Sequence, residues 1–118
     1  MATIKSFTDI SQSKVLAEIL PLESADMCYM YLGTEDKEYE DIPICAPAME
    51  GDLCAWSLAA LLAVLPEGII EKYYSPNLQK ENGKYSIAYG DDELLCIEDN
   101  PVDACVAMIE LLHEQKLL

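Results

Sequence analysis

The chain has 118 residues, 52% of them apolar, and carries 22 Asp and Glu against 7 Lys and Arg, a net charge of −15. That length suits one domain, 1–118, and that apolar share is ample for a core, which excludes a disordered acidic tail. A field of this sign repels nucleic-acid phosphates and anionic membrane surfaces, whose binding needs clustered Lys and Arg. It favours a basic protein partner, or it simply keeps a folded body soluble.

The first expected element is a helix over residues 9–20. Val15, Leu16, Ile19 and Leu20 recur at helical spacing, Asp9 with Gln12 forms a capping-box pattern, and Pro21 ends the run. Residues 27–32, Met-Cys-Tyr-Met-Tyr-Leu, are rich in strand formers and close on Gly33, which predicts a strand. Residues 33–50 break the pattern. Glu35, Asp36, Glu38, Glu40 and Asp41 crowd the first half, and Pro43 and Pro47 punctuate the second. This is the longest irregular stretch and the first place to look for a functional loop, with 42–45 able to add an edge strand.

A second helix should end at Leu65, before Pro66, and start after either Asp52 or Ser57, since both are good N-caps. Leu58, Leu61, Leu62 and Leu65 share one side; Ala55, Ala59, Ala60 and Ala63 cover much of the other, beside Trp56. A helix apolar all round is buried on more than one face. The expectation is that it is the central helix; the alternative is that its alanine face meets a second copy of the chain. Three strands are predicted next, over 68–74, 84–89 and 93–98. Ser75-Pro76-Asn77 and Asn82-Gly83 bound the first connection, and Gly90-Asp91-Asp92 makes the second a tight hairpin turn. Tyr85, Ile87 and Tyr89 alternate onto one strand face, and the small residues Ser86, Ala88 and Gly90 occupy the other, which would let a helix approach closely. The last helix has the clearest start: Asn100 as cap, Pro101 in the first turn and Asp103 at the positive end of the dipole. Val102, Cys105, Val106, Ile109 and Leu112 form its core stripe, with Asp103, Glu110 and Glu114 expected to face water. Together these elements predict an α+β fold, a small, mostly antiparallel sheet with about three helices packed on one face.

The chemistry is sparse. His113 is the single histidine, which leaves few ways to build a metal site or a nucleophile–base pair. Cys105 precedes it by two helical turns on the same helix, too far for a dyad. The five cysteines, 28, 45, 54, 96 and 105, show no CxxC and no zinc spacing. Four lie in apolar runs, where a free thiol behaves as a small hydrophobe, so they are expected to be reduced and the compartment cytoplasmic. No basic segment precedes an apolar stretch at the start, and the longest apolar run, 53–65, is too short to span a bilayer. Asp91-Asp92-Glu93 lacks EF-hand spacing, and no phosphate-cradling glycine motif and no nucleophile elbow occur. No cofactor and no catalytic residue are therefore expected.

Two surfaces remain as candidates for interaction. One is the tyrosine set Tyr73, Tyr74, Tyr85 and Tyr89 on the predicted strands; the competing reading is strand propensity and packing. The other is the acidic segment Glu35, Asp36, Glu38, Glu40 and Asp41, which also reads as a solvated loop.

Three stretches support a resemblance: Gln12-Ser13-Lys14 with 20–27, the run 56–66, and Asn100-Pro101-Val102-Asp103-Ala104-Cys105. Together they resemble small uncharacterised proteins carried by phages and mobile elements of gut bacteria. The resemblance implies an accessory protein of a mobile element and assigns no activity to any residue; each stretch is also a helix with its cap. The functional expectation is a non-enzymatic acidic protein that binds a basic host protein, in its sharpest form by occupying a nucleic-acid-binding groove. The alternative is a small-ligand binder or enzyme with a pocket under the 33–50 loop.

Overall fold

The structure, a computed structural model, describes residues 5–67, 75–90 and 94–118. The fold is α+β, and the strand pairs among the described residues are antiparallel. In chain order it runs α1 (Ile10–Ile19), a 3-10 turn (Leu22–Ser24), β1 (Met27–Tyr29), β2 (Leu53–Ala55), α2 (Leu58–Val64), β3 (Pro76–Glu81), β4 (Lys84–Tyr89), β5 (Leu94–Glu98) and α3 (Pro101–Glu114). The expected single sheet is divided: β1–β2 form a two-stranded ribbon and β3–β4–β5 a three-stranded meander. The predicted strand at 68–74 and the turn residues Asp91, Asp92 and Glu93 lie outside the described residues.

Local chemistry sets the helix ends. Asp9 Oδ1 accepts from Gln12 N–H at 2.7 Å and Gln12 Oε1 accepts from Asp9 N–H at 3.1 Å, which completes the capping box of α1. Pro21 holds Leu20 in an extended conformation and ends the helix. Of the predicted stripe, Leu16 and Leu20 are buried while Val15 is exposed. Asn100 Oδ1 accepts from Asp103 N–H at 2.8 Å to start α3, with Pro101 in its first turn. The far end closes as a Schellman motif. Lys116 N–H reaches His113 O at 3.0 Å and Leu117 N–H reaches Leu112 O at 2.8 Å, with Lys116 left-handed at φ 60°.

The central helix is α3, not the alanine-rich one. Eight α3 residues are buried, among them Val102, Cys105, Met108, Ile109 and Leu112, whereas α2 has seven residues and buries only Ala60 and Leu61. Ala59, Leu62 and Ala63 are exposed. The cause lies upstream. Leu53–Ala55 pair with β1 instead of extending the helix, so Ser57 and not Asp52 is the cap, with its Oγ accepting from Ala60 N–H at 3.2 Å. Ala55 consequently sits in a buried strand, and the expected Ala55/Ala59/Ala63 face does not form. Asp103 also departs from expectation. It does not simply face water; it accepts hydrogen bonds from Lys5 Nζ (2.8 Å), Gln12 Nε2 (2.7 Å) and Asn100 Nδ2 (2.8 Å), and so ties the start of α1 to the start of α3.

The meander rests on α3 by the Tyr85/Ile87/Tyr89 side of β4, with Leu94 and Cys96 of β5 beside it. The small-residue side, expected to take a helix, instead shares its face with Leu95 and Ile97, which are exposed. The unforeseen strand is β3. Asn82 and Gly83, at φ 53° and 76°, make a two-residue turn with both central residues left-handed, the turn whose twist suits a hairpin. It therefore pairs Pro76–Glu81 with β4 residue for residue. The strand is an exposed edge, which is why its sequence, Pro-Asn-Leu-Gln-Lys-Glu, shows no apolar alternation.

A second, smaller core joins Met27, Tyr29, Leu53 and Ala55 with Phe7, Ile10 and Tyr39. Between the two cores runs a buried polar chain. Thr8 Oγ1 accepts from Trp56 N–H (3.1 Å) and shares a hydrogen bond with Ser13 Oγ (2.8 Å), while Tyr29 O–H donates to Thr8 O (2.8 Å). Trp56 itself is fully buried and donates its Nε1–H to Ser24 Oγ at 2.9 Å.

Candidate functional site

The acidic segment is organised rather than loose. Leu32 N–H donates to Glu38 O (2.8 Å) and Glu40 N–H to Met30 O (3.0 Å), so residues 38–40 fold back along 30–32 as an arm, with Tyr31 bridged to Tyr39. Thr34 Oγ1 closes the tip, accepting from Lys37 N–H at 3.0 Å. Gly33 is required behind it: at φ +66° a Cβ there would lie 2.8 Å from the Tyr31 ring. The Tyr31 and Tyr39 rings meet edge to face, 6.0 Å apart.

Further along, Ile44 exchanges both backbone hydrogen bonds with Cys28 at 2.9 Å, so the predicted edge pairing is a single bridge. From Tyr31 to Cys28 the strand advances three residues while its partner advances five, from 39 to 44. The extra residues absorb the difference as a bulge, in which Asp41 and Ile42 are exposed and Pro43 is buried.

The five acidic candidates are all exposed on this arm. Asp41 pairs with Lys37 at 2.5 Å and Glu38 with Lys14 at 3.8 Å; among the described residues Glu35, Asp36 and Glu40 pair with no cation. The tyrosine candidates do not form an exposed ladder. Tyr89 is fully buried and donates its hydroxyl to Pro66 O at 2.7 Å; burial, and then the neighbouring Cys105 thiol, push its pKa up to about 12. Tyr85 is half-buried under Lys80, whose Nζ lies 5.5 Å from the ring centroid. Tyr73 and Tyr74 lie outside the described residues. The arm carries its own exposed tyrosine, Tyr31, beside Met30, Leu32, Ile42 and Ile44. Sequence reasoning passed over this set because strand propensity explained it.

Below the arm lies an open groove of about 890 Å³, between the end of α1, the 3-10 turn and residues 45–54. Ala17, Ala25, Ala48 and Cys54 contribute an apolar floor, and Glu23, Asp26, Glu50 and Asp52 bring carboxylates; no lysine or arginine lines it. Two of these carboxylates also hold the walls. Asp26 accepts from Ser57 N–H (2.9 Å) and Ser57 O–H (2.5 Å), which fixes the cap of α2. Asp52 accepts from Tyr31 N–H (2.9 Å) and Met49 N–H (3.0 Å), and these two backbone donors hold its carboxyl below the usual carboxylate range. Glu23 and Glu50 are exposed at the groove.

All five cysteines are free thiols; Cys28, Cys54 and Cys105 are buried, Cys96 is half-buried and Cys45 is exposed at the groove. Burial pushes the Cys105 thiol up to about 12. His113 is exposed in the last turn of α3, two turns beyond buried Cys105. Among the described residues no three His, Cys, Asp or Glu side chains gather to hold a metal ion, and no helix is long and apolar enough to cross a membrane. No known protein family matches the chain, and neither does any curated protein or solved structure.

Proposed function

We propose that the chain is a non-enzymatic binding module whose groove receives a basic, partly apolar segment of a protein partner. The observation that supports this reading best is the groove's composition, an apolar floor with four carboxylates and no basic residue in its lining. A cationic segment gains from that charge while its aliphatic stems cover the floor. The acidic arm next to the groove, with Glu35, Asp36 and Glu40, extends the same field. The small-ligand alternative has less support. The groove is open, no tyrosine lines it, and Asp26 and Asp52 are turned to N–H and O–H groups of the chain itself. An accessory role in a mobile element and a cytoplasmic setting rest on the sequence resemblance and on the unpatterned cysteines.

The test is fluorescence polarisation with a labelled Lys/Arg-rich amphipathic peptide. Binding should weaken as salt rises, because screening shortens the reach of exposed charges to about 8 Å at 0.15 M. Reversing both exposed carboxylates, Glu23→Lys with Glu50→Lys, should lower affinity about tenfold, while Glu114→Lys, at the end of α3, should not. Affinity unchanged by the double reversal would sink the groove as the binding site. Tight binding to duplex DNA at physiological salt would overturn the charge argument itself.

A further inference from the structure

Cys28 and Cys54 stand directly opposite each other in the antiparallel β1–β2 ribbon. Cys28 spends both its N–H and its C=O on Ile44, on the other edge of the strand. Toward Cys54 it therefore forms a non-hydrogen-bonded pair. Such pairs bring Cα atoms to about 4.5 Å, with both side chains on the same face. That lies inside the window of about 4.4–6.8 Å that a disulfide requires. The two thiols are the only cysteines of the chain placed opposite each other in a strand register among the described residues.

We infer that Cys28 and Cys54 are a reversible dithiol site that closes to a cross-strand disulfide by exchange with a low-molecular-weight disulfide such as oxidised glutathione. Access decides the order of events. Cys54 lines the groove, whereas Cys28 is 1% exposed, with its Sγ 3.9 Å from Pro47 O. The Cys54 thiol loses its proton to water, and its thiolate attacks one sulfur of the small disulfide. That S–S bond breaks, one small thiolate leaves, and a mixed disulfide forms on Cys54. Cys28 then loses its proton and attacks the Cys54 sulfur; the second small thiolate leaves, and the Cys28–Cys54 bond is made. The protein gives up two electrons and two protons, and the small disulfide is reduced to two thiols.

Burial, and then the Asp52 charge, raise both thiols above their ordinary range, and the Cys54 thiol adds to the rise at Cys28. Exchange should therefore be slow near neutrality and quicken as pH rises and more thiolate forms. The ribbon so linked holds the floor of the groove to β1, whatever occupies the groove.

The experiment uses the native, full-length protein incubated with oxidised glutathione, then alkylated, digested and analysed by mass spectrometry. The expected result is a loss of two hydrogens with a linked peptide joining Cys28 to Cys54, faster at higher pH and reversed by dithiothreitol. The exposed competitor is removed in Cys45→Ser, which should form the same link. Stable glutathione on Cys54 with Cys28 still free, both thiols recovered unmodified, or a link that runs to Cys45 would each overturn the proposal.

Discussion

The two halves of the molecule spend their apolar residues in opposite ways. Around α3 the apolar side chains follow helical and strand periods, and Met108, Ile109, Leu112, Ile87 and Tyr89 are all fully buried. Along 30–49 the chain is comparably rich in large apolar residues, yet Ile42 is 71% and Met49 77% exposed. That region is held by backbone pairing and by side-chain caps from Thr34 and Asp52. Stability therefore resides in the first region, while the second leaves large apolar groups in water, where they stabilise nothing until something covers them.

Truncation should break the comparison most sharply. Met108→Ala removes a fully buried side chain and should cost about 2–5 kcal/mol in urea unfolding. Ile42→Ala, on the arm, should cost less than about 0.5 kcal/mol. Equal costs would mean that the arm belongs to the core.

A smaller effect tests whether the arm opens by itself. Gly33→Ala forces a left-handed alanine against the Tyr31 ring. At roughly 1–2 kcal/mol for that conformation, amide exchange at Leu32 and Glu40 should quicken about tenfold or more, with the α3 amides unchanged. If α3 exchanges faster as well, the two regions unfold together.

The smallest effect concerns the tie between α1 and α3. Partial burial works to raise the Asp103 carboxyl, but hydrogen bonds from Lys5, Gln12 and Asn100 outweigh it and leave the pKa lowered. A carboxylate depressed in the fold stabilises above its unfolded value, about 4, and that contribution is lost as pH falls through the folded value. Asp103→Asn should flatten this acid limb of the stability curve, with little more than about 1 kcal/mol lost at neutral pH for an ion pair that solvent still screens. An acid limb identical to the parent's would show that other carboxylates carry it.

Much of this architecture was legible in local chemistry. Asp9 with Gln12, and Asn100 with Pro101, announce α1 and α3 because a helix start needs acceptors for its free N–H groups, and those acceptors are neighbours in the chain. Asn82-Gly83 announces a left-handed turn for the same local reason, although the strand before it was hidden by its polar composition. The acidic candidates of the arm were legible as exposed charge. The groove was not, because Ala17, Glu23 and Glu50 meet only after the chain has folded back on itself.

By itself the sequence determined the α+β class, the caps of α1 and α3, the turn at Asn82-Gly83 and the sign of the surface field, since each depends on residues a few positions apart or on a simple sum of charge. Only the tertiary structure decided that Leu53–Ala55 would join a ribbon rather than lengthen α2, that α3 would be the central helix, and that Cys28 would face Cys54. Those outcomes depend on strand register and on which apolar face finds a partner first. Both are long-range competitions between segments that are individually able to go either way.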